Sequence, residues 1–374
     1  MNYDIFCNVV DNFGDAGVSW RLARQLAGDH AMSVRLWMDK PQVLAGICPD
    51  YNPLVERQVL NGVEVCHWPK PWQCADPAEV VIEAFGCELP ERYLEAMAER
   101  GSKPIWINLE YLSAENWVSD FHGCPSPHPF LGLTRYFFFP GFGVNIGGLL
   151  KEKRFDESRD AFMQDVNYRR DFLKSLGVEP VDGAFLISLF GYEFAPLTPL
   201  LNSWAESPLP IQVMLFDGQL LSQASSWYGR NLEPGQTVIH GNLHLSILPF
   251  VSQDCYDRVL WACDVNFVRG EDSFVRAQWA AKPFVWHIYP QTDAVHEIKL
   301  MAFLKRYAED LPKETAEYLQ EFWFSWNRFH IKEFAWKQFM DNLDILKSHA
   351  QSWAEQLGKN HDLATNLVKF CQNK

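Results

Sequence analysis

Residues 259–291, VLWACDVNFVRGEDSFVRAQWAAKPFVWHIYPQ, read as an apolar strand, a polar loop, a helix and a second strand. That order puts Gly270, Glu271, Asp272 and Ser273 at the mouth of a sheet, where the N–H groups of a helix start hold the phosphates of a bound nucleotide. Departure of a diphosphate leaves negative charge there, which backbone donors near residues 273–275, the Ser273 hydroxyl and the Arg269 cation can stabilise. An ordinary surface ion pair is the plainer use of Arg269. A second chemical feature is Asp11 and Asp15, four apart in the glycine-bearing stretch DNFGDAG. One carboxylate can hold a cationic group while another accepts a proton. Aspartates also form turns and cap helices, and the local sequence leaves both readings open.

The elements that must position these groups alternate. Residues 3–10 read as a buried strand, 11–17 as a turn, and 18–26 as a helix with Val18, Leu22 and Leu26 on one face. Further strands are expected at 33–37, 63–67, 80–84 and 104–108, the pattern of a parallel sheet covered on both faces. A first α/β domain is therefore expected over 1–150. The charge-rich stretch 151–182, helical over 156–176, reads as a linker region. A second strand series follows at 184–190, 211–216, 237–240, 265–268 and 283–288, with helices at 253–262 and 273–281. This defines a nucleotide-binding domain over 183–344. The chain then turns helical, and 345–374 is expected to pack back on the first domain.

Composition narrows the function. A chain of 374 residues exceeds what one core usually needs. The net charge of −14 excludes a general polyanion-binding surface, so no nucleic acid is expected as partner. Fifteen Trp and 27 Phe supply core packing first, and stacking platforms for a base second. Nine cysteines without CxxC or zinc-like spacing read as reduced thiols. There is no D-x-D motif, so no metal is expected. The N-terminus lacks a basic-then-apolar leader, and no apolar run reaches the roughly 18 residues of a membrane helix. The protein is expected to be cytoplasmic and free of membranes.

Two α/β domains with a nucleotide-type loop only in the second resemble the GT-B glycosyltransferase architecture, two Rossmann-like domains facing a central cleft where donor and acceptor meet. A dinucleotide-binding oxidoreductase is disfavoured, because Gly14-Asp15-Ala16-Gly17 does not supply G-x-G-x-x-G. The likeness sharpens when residues 11–22, DNFGDAGVSWRL, are combined with Phe190-Gly191-Tyr192-Glu193 and Arg269-Gly270-Glu271-Asp272-Ser273-Phe274. Together these resemble the protein-arginine rhamnosyltransferase (EarP) family, with motifs in both domains and the same length class.

The resemblance implies an inverting, metal-independent transfer of L-rhamnose from dTDP-β-L-rhamnose to an arginine of translation elongation factor P, a modification that helps ribosomes stalled at consecutive prolines. No cofactor is implied beyond that donor. By the same resemblance Asp11, Asp15 and Glu271 are the essential carboxylates. Asp15 is then the general base and Asp11 the orienter. The donor site takes Phe13, Gly14, Gly17, Phe190, Tyr192, Phe250, Gln253, Tyr256, Arg269, Glu271, Asp272 and Ser273, with Tyr256 standing where phenylalanine is expected. The four aromatic residues of the second domain would sandwich thymine, and Gln253 would give it directional amide hydrogen bonds. Glu271, costly beside a diphosphate, goes to ribose or acceptor. Two other classes stay open: a glycosyltransferase with a small-molecule or glycan acceptor, and a non-catalytic binding module on a degenerate scaffold.

Overall fold

The computed structural model describes residues 1–10, 12–68, 71–72, 76–291, 294–328, 331–332 and 335–374. It divides into two compact units, one of Met1–Lys153 with Leu357–Lys374 and the other of Arg154–Gln356.

The first unit begins with β1 (Asn2–Cys7), α1 (Asn12–His30), β2 (Ser33–Met38), α2 (Leu44–Ile47), β3 (Arg57–Leu60), β4 (Val63–His67) and β5 (Val80–Ala84). It continues with α3 (Glu91–Glu99), β6 (Ile105–Leu109), α4 (Val118–Phe121), β7 (Pro125–Pro127) and β8 (Thr134–Phe138). Its sheet runs β3-β4-β2-β1-β5-β6-β8-β7. The inner strands are parallel, and the edge strands β3 and β7 are antiparallel to their neighbours. β1 is buried along almost its whole length, as a central parallel strand covered on both faces must be. Its one charge, Asp4, is satisfied by the Arg35 guanidinium at 2.6 Å, the Trp37 indole N–H at 3.1 Å, the Ala78 N–H at 3.0 Å and the Tyr93 hydroxyl. A buried carboxylate is tolerable only with such a full set of donors.

The second unit begins with α5 (Phe155–Gln164), α6 (Val166–Ser175), β9 (Phe185–Leu189), α7 (Leu197–Ala205), β10 (Ile211–Phe216), α8 (Leu221–Tyr228), β11 (Thr237–His240) and β12 (Leu243–Leu248). It continues with α9 (Gln253–Ala262), β13 (Val265–Arg269), α10 (Asp272–Trp279), β14 (Phe284–His287), α11 (Val295–Tyr307), α12 (Lys313–Asn327), α13 (Ala335–Asp341) and α14 (Leu343–Leu357). Its sheet runs β11-β12-β10-β9-β13-β14, with only β11 antiparallel to its neighbour. The final helix, α15 (Leu363–Gln372), belongs to the first unit. Asp362 caps it through the Thr365 N–H at 3.0 Å and takes the Gln25 amide of α1 at 2.9 Å, while Phe370 packs edge-on against Tyr136 and Phe138.

Both units are doubly wound α/β sheets. Three local expectations differ from what is found. Residues 12–17 are helical rather than a turn, because α1 already begins at Asn12. Glycine in a helix costs about 1 kcal/mol, which is outweighed by complete burial of Trp20, Leu22, Ala23 and Leu26 along the same helix. The helical stretch after residue 155 is two helices, broken where Asp165 caps α6 by accepting the Tyr168 N–H at 2.9 Å. Phe155 and Phe162 of α5 pack on Trp261, which seats this stretch on the second unit. Finally, of residues 345–374, expected to pack back on the first domain, only 357–374 belong to the first unit, while 345–356 stay with the second as part of α14. A strand not foreseen, β12, pairs with β11 across the turn at Gly241, whose φ of +56° and a Cβ position 2.2 Å from the Ala205 carbonyl leave room for glycine alone.

Candidate active site

In each sheet the chain winds one way from a central strand and then the other, and ligands bind outside the carboxyl ends of strands where that reversal occurs. In the second unit the reversal lies between β9 and β13. The Phe190-Gly191-Tyr192 loop leaves β9, with the Phe190 N–H bonded to the Phe267 carbonyl at 3.0 Å. A Cβ on Gly191 would stand 2.9 Å from a Leu220 methyl and 3.4 Å from His287 Nδ1, so the loop lies close against its neighbours. His287 Nδ1 accepts the Tyr192 N–H at 3.1 Å, and the His287 carbonyl accepts the Gly270 N–H at 3.2 Å. One residue of β14 thus ties both loops together. Burial, helped by Arg269, pulls the His287 pKa down to about 3, keeping the ring neutral and able to accept.

The loop leaving β13 turns at Gly270, whose φ is +65°, and enters α10 at Asp272. The indole N–H of Trp286 holds the Gly270 carbonyl at 2.7 Å. Arg269 lies over both aromatic residues of the first loop, 4.1 Å from the Phe190 ring centre and 4.9 Å from that of Tyr192. Its Nη1 donates to the Gly191 carbonyl at 3.2 Å and to Gln219 Oε1 at 3.4 Å. The Ser273 hydroxyl accepts the Arg269 N–H at 3.1 Å and donates to the Arg269 carbonyl, so it fastens the loop. Glu271 stands at the cap position of α10 without capping it through its side chain.

Beside this loop, α9 is capped by Ser252, and its first residue, Gln253, donates to Asp272 Oδ2 at 2.9 Å. One turn on, the Tyr256 ring packs on Phe190 and Phe216 with centres 6.1 and 5.1 Å away. Burial raises its phenol far above the ordinary range. Deeper, Arg276 of α10 forms a bidentate pair with Asp257 of α9 at 3.0 and 2.7 Å and lies 4.3 Å over the Phe155 ring. The structure therefore joins Phe190, Tyr192, Arg269 and Ser273, links Gln253 to Asp272, and sets Tyr256 against Phe190. Phe250 lies half-buried between β12 and α9.

In the first unit the winding reverses between β1 and β5. Asp15 lies in the first turn of α1 and is 2% exposed. It is past the cap position, so the capping reading fails. Its Oδ2 accepts the Val10 N–H at 2.9 Å and its Oδ1 the Tyr111 hydroxyl at 3.2 Å. Phe13, Gly14 and Gly17 belong to the same helix. Asp11 lies outside the described residues.

Sequence reasoning missed several residues here. His287 had a signal, as an imidazole in an otherwise apolar strand. Gln219, Phe216, Arg276 and Tyr111 had none, since only the fold brings them to these loops.

Residues 3–372 match the family model of the elongation-factor P (EF-P) rhamnosyltransferase EarP. The chain belongs to the EarP family. It is 47% identical over 370 residues to a protein-arginine rhamnosyltransferase of Pseudomonas aeruginosa, covering 99% of this chain and 98% of that relative. A solved structure describing EarP-mediated arginine glycosylation of translation elongation factor EF-P superposes with a TM-score of 0.73 at 36% identity, covering 100% of this chain and 99% of that one. The spinosyn rhamnosyltransferase SpnG, solved with thymidine diphosphate, shares the fold at a TM-score of 0.53 and 11% identity, each chain fully covered. This EarP chain thus has the GT-B glycosyltransferase fold, the class its sequence resembled. Among its described residues no helix is long and apolar enough to cross a membrane, and no group of three His, Cys, Asp or Glu could hold a metal ion.

Proposed function

We propose that this protein is a cytoplasmic enzyme that transfers L-rhamnose from dTDP-β-L-rhamnose to one arginine of elongation factor P, with inversion and without a metal, and so helps ribosomes past consecutive prolines. The observation that carries this reading is EarP family membership across both units. A guanidinium, with its pKa above about 12, is a poor nucleophile until a nitrogen lone pair is localised. A carboxylate can hold it by N–H bonds and take the proton as the bond forms. Asp15 suits that role because it is buried and its two oxygens are oriented by separate donors, and a carboxylate oxygen can accept more than one N–H.

In the proposed step a guanidinium nitrogen attacks the anomeric carbon, the bond from that carbon to the diphosphate oxygen breaks, and the electron pair leaves on dTDP. The nitrogen's proton passes to Asp15, with Asp11 as orienter. The start of α10 and the Arg269 guanidinium stabilise the departing charge. Phe190, Tyr192, Phe250 and Tyr256, with Gln253 and Asp272, form the nucleoside side, and Ser273 holds that loop. Glu271 serves the ribose or the acceptor. Phe13, Gly14 and Gly17 contribute from α1.

Intact-mass spectrometry of elongation factor P after incubation with the protein and dTDP-β-L-rhamnose tests the reading. The expected result is one added deoxyhexose, mapped by fragmentation to a single arginine and absent with Asp15→Asn. No mass gain with a donor and factor proven competent elsewhere would overturn it. Retention of configuration at the anomeric carbon would overturn the inverting step alone, and loss of turnover in EDTA restored by Mg²⁺ the metal-free one.

A further inference from the structure

Beside Asp15 the first unit presents an aromatic pair that the donor chemistry does not use. β1, β5 and β6 are neighbours in the sheet. Their carboxyl ends deliver Asp15 at the start of α1, Phe85 directly after β5, and Tyr111 two residues after β6. The Phe85 and Tyr111 rings stack with centres 4.5 Å apart and planes 17° from parallel. Tyr111 is 41% exposed, yet its hydroxyl is directed onto the nearly inaccessible Asp15 carboxylate at 3.2 Å.

The backbone under this pair is unusual. Phe85 has φ of +58°, and Glu88, three residues on, has φ of +54°. An aromatic residue in the left-handed region costs of order 1–3 kcal/mol and persists where the surroundings enforce it. The Phe85 N–H is pinned to the Leu109 carbonyl at 2.7 Å, and Glu83 Oε1 takes the Glu88 N–H at 3.1 Å. The strained turn aims a flat ring at the tyrosine that touches the proposed base.

We propose that Phe85 and Tyr111 form the seat for the acceptor guanidinium. The stacked pair offers a π surface to its planar cation, and the Tyr111 hydroxyl fixes the orientation in which Asp15 meets the attacking nitrogen. Tyr111 is thus a positioning residue, and the ring pair supplies acceptor affinity. This rests on the reading that the acceptor is an arginine.

Steady-state kinetics on the full-length protein with elongation factor P separate the two roles. Tyr111→Phe keeps the stack and removes the hydroxyl. It is expected to lower kcat at least about tenfold while leaving the KM for the factor within about twofold. Phe85→Leu is expected to raise that KM about tenfold with kcat little changed, and Phe85→Trp to restore it. Affinity for dTDP, measured by calorimetry, is expected to stay at the wild-type value in all three, which also reports that the variants are folded. Wild-type kcat in Tyr111→Phe, or wild-type KM in Phe85→Leu, overturns the proposal while the arginine reading stands. A wild-type protein that modifies some other group on the factor overturns both.

Discussion

The guanidinium of Arg269 lies 4.1 Å over the Phe190 ring and is held there by the Gly191 carbonyl at 3.2 Å. The cation that ends β13 is therefore oriented by the loop that follows β9. A flat, delocalised ion stacks on a ring and keeps its remaining N–H groups in plane, which an ammonium cannot do.

Substituting Arg269 should consequently weaken donor binding more than folding. Arg269→Lys keeps the charge but loses the stack and the fixed fork. Calorimetry with dTDP should show about a tenfold loss of affinity for Arg269→Lys and a larger one for Arg269→Ala. The melting temperature should move little, because the residue is only half-buried. Full affinity in Arg269→Ala would remove this residue from the diphosphate.

The proposed base carries its own prediction. The Asp15 oxygens accept from Val10 N–H and from the Tyr111 hydroxyl. An asparagine can accept at only one of its two positions, since the other carries an NH₂. Asp15→Asn therefore loses proton acceptance and one fixing bond together, and kcat should fall about 10²–10⁴-fold. Affinity for dTDP should be unchanged. Preserved turnover would assign proton transfer to another group.

The fold was legible because buried parallel strands read as apolar runs: β4, β5 and β10 lie where their side-chain patterns put them. The phosphate-type loop was legible because Gly270 and Ser273 mark a strand-to-helix turn locally. Asp15 was chemically visible but structurally misread, since two glycines argued for a turn where burial of Trp20 and Leu22 enforces a helix. The Tyr111 hydroxyl, 96 residues away in sequence, could not be paired with Asp15 before the strand order was known. Most aromatic residues proved to be core, as with Phe274 stacked at 3.8 Å on Trp286.

Beneath the donor loop, Arg276 is 1% exposed and its charge is matched by Asp257 at 2.7 Å. Removing one member of such a pair takes the bidentate counter-charge from the other in a buried setting. Arg276→Met should cost about 3–5 kcal/mol of stability, and adding Asp257→Leu should recover part of it. Urea unfolding followed by tryptophan fluorescence measures both. A double variant weaker than the sum of the single variants would show that the pair is not held together by charge.

Acid should loosen both units as the pH falls below the ordinary histidine value. Burial depresses His122 to about 4 and His287 to about 3 and lowers His349 as well. Two of them need a bare nitrogen: His122 Nδ1 accepts the Phe139 N–H at 3.1 Å, and His287 Nδ1 accepts that of Tyr192. Below the ordinary histidine value of about 6.5 the unfolded chain binds protons that the folded chain refuses. Stability is therefore complete above that pH and is lost as pH falls toward the folded values, with a slope of up to about 1.4 kcal/mol per pH unit for each histidine. The urea midpoint should drop between pH 7 and pH 5, a window in which exposed carboxylates of pKa about 4 contribute little. His287→Leu should be less stable at pH 7, because the Tyr192 N–H loses its acceptor, but should show a shallower pH dependence. A midpoint that stays flat from pH 7 to pH 5 would mean that these rings are protonated in the folded protein, and with it the neutral His287 that ties the two donor loops would have to be abandoned.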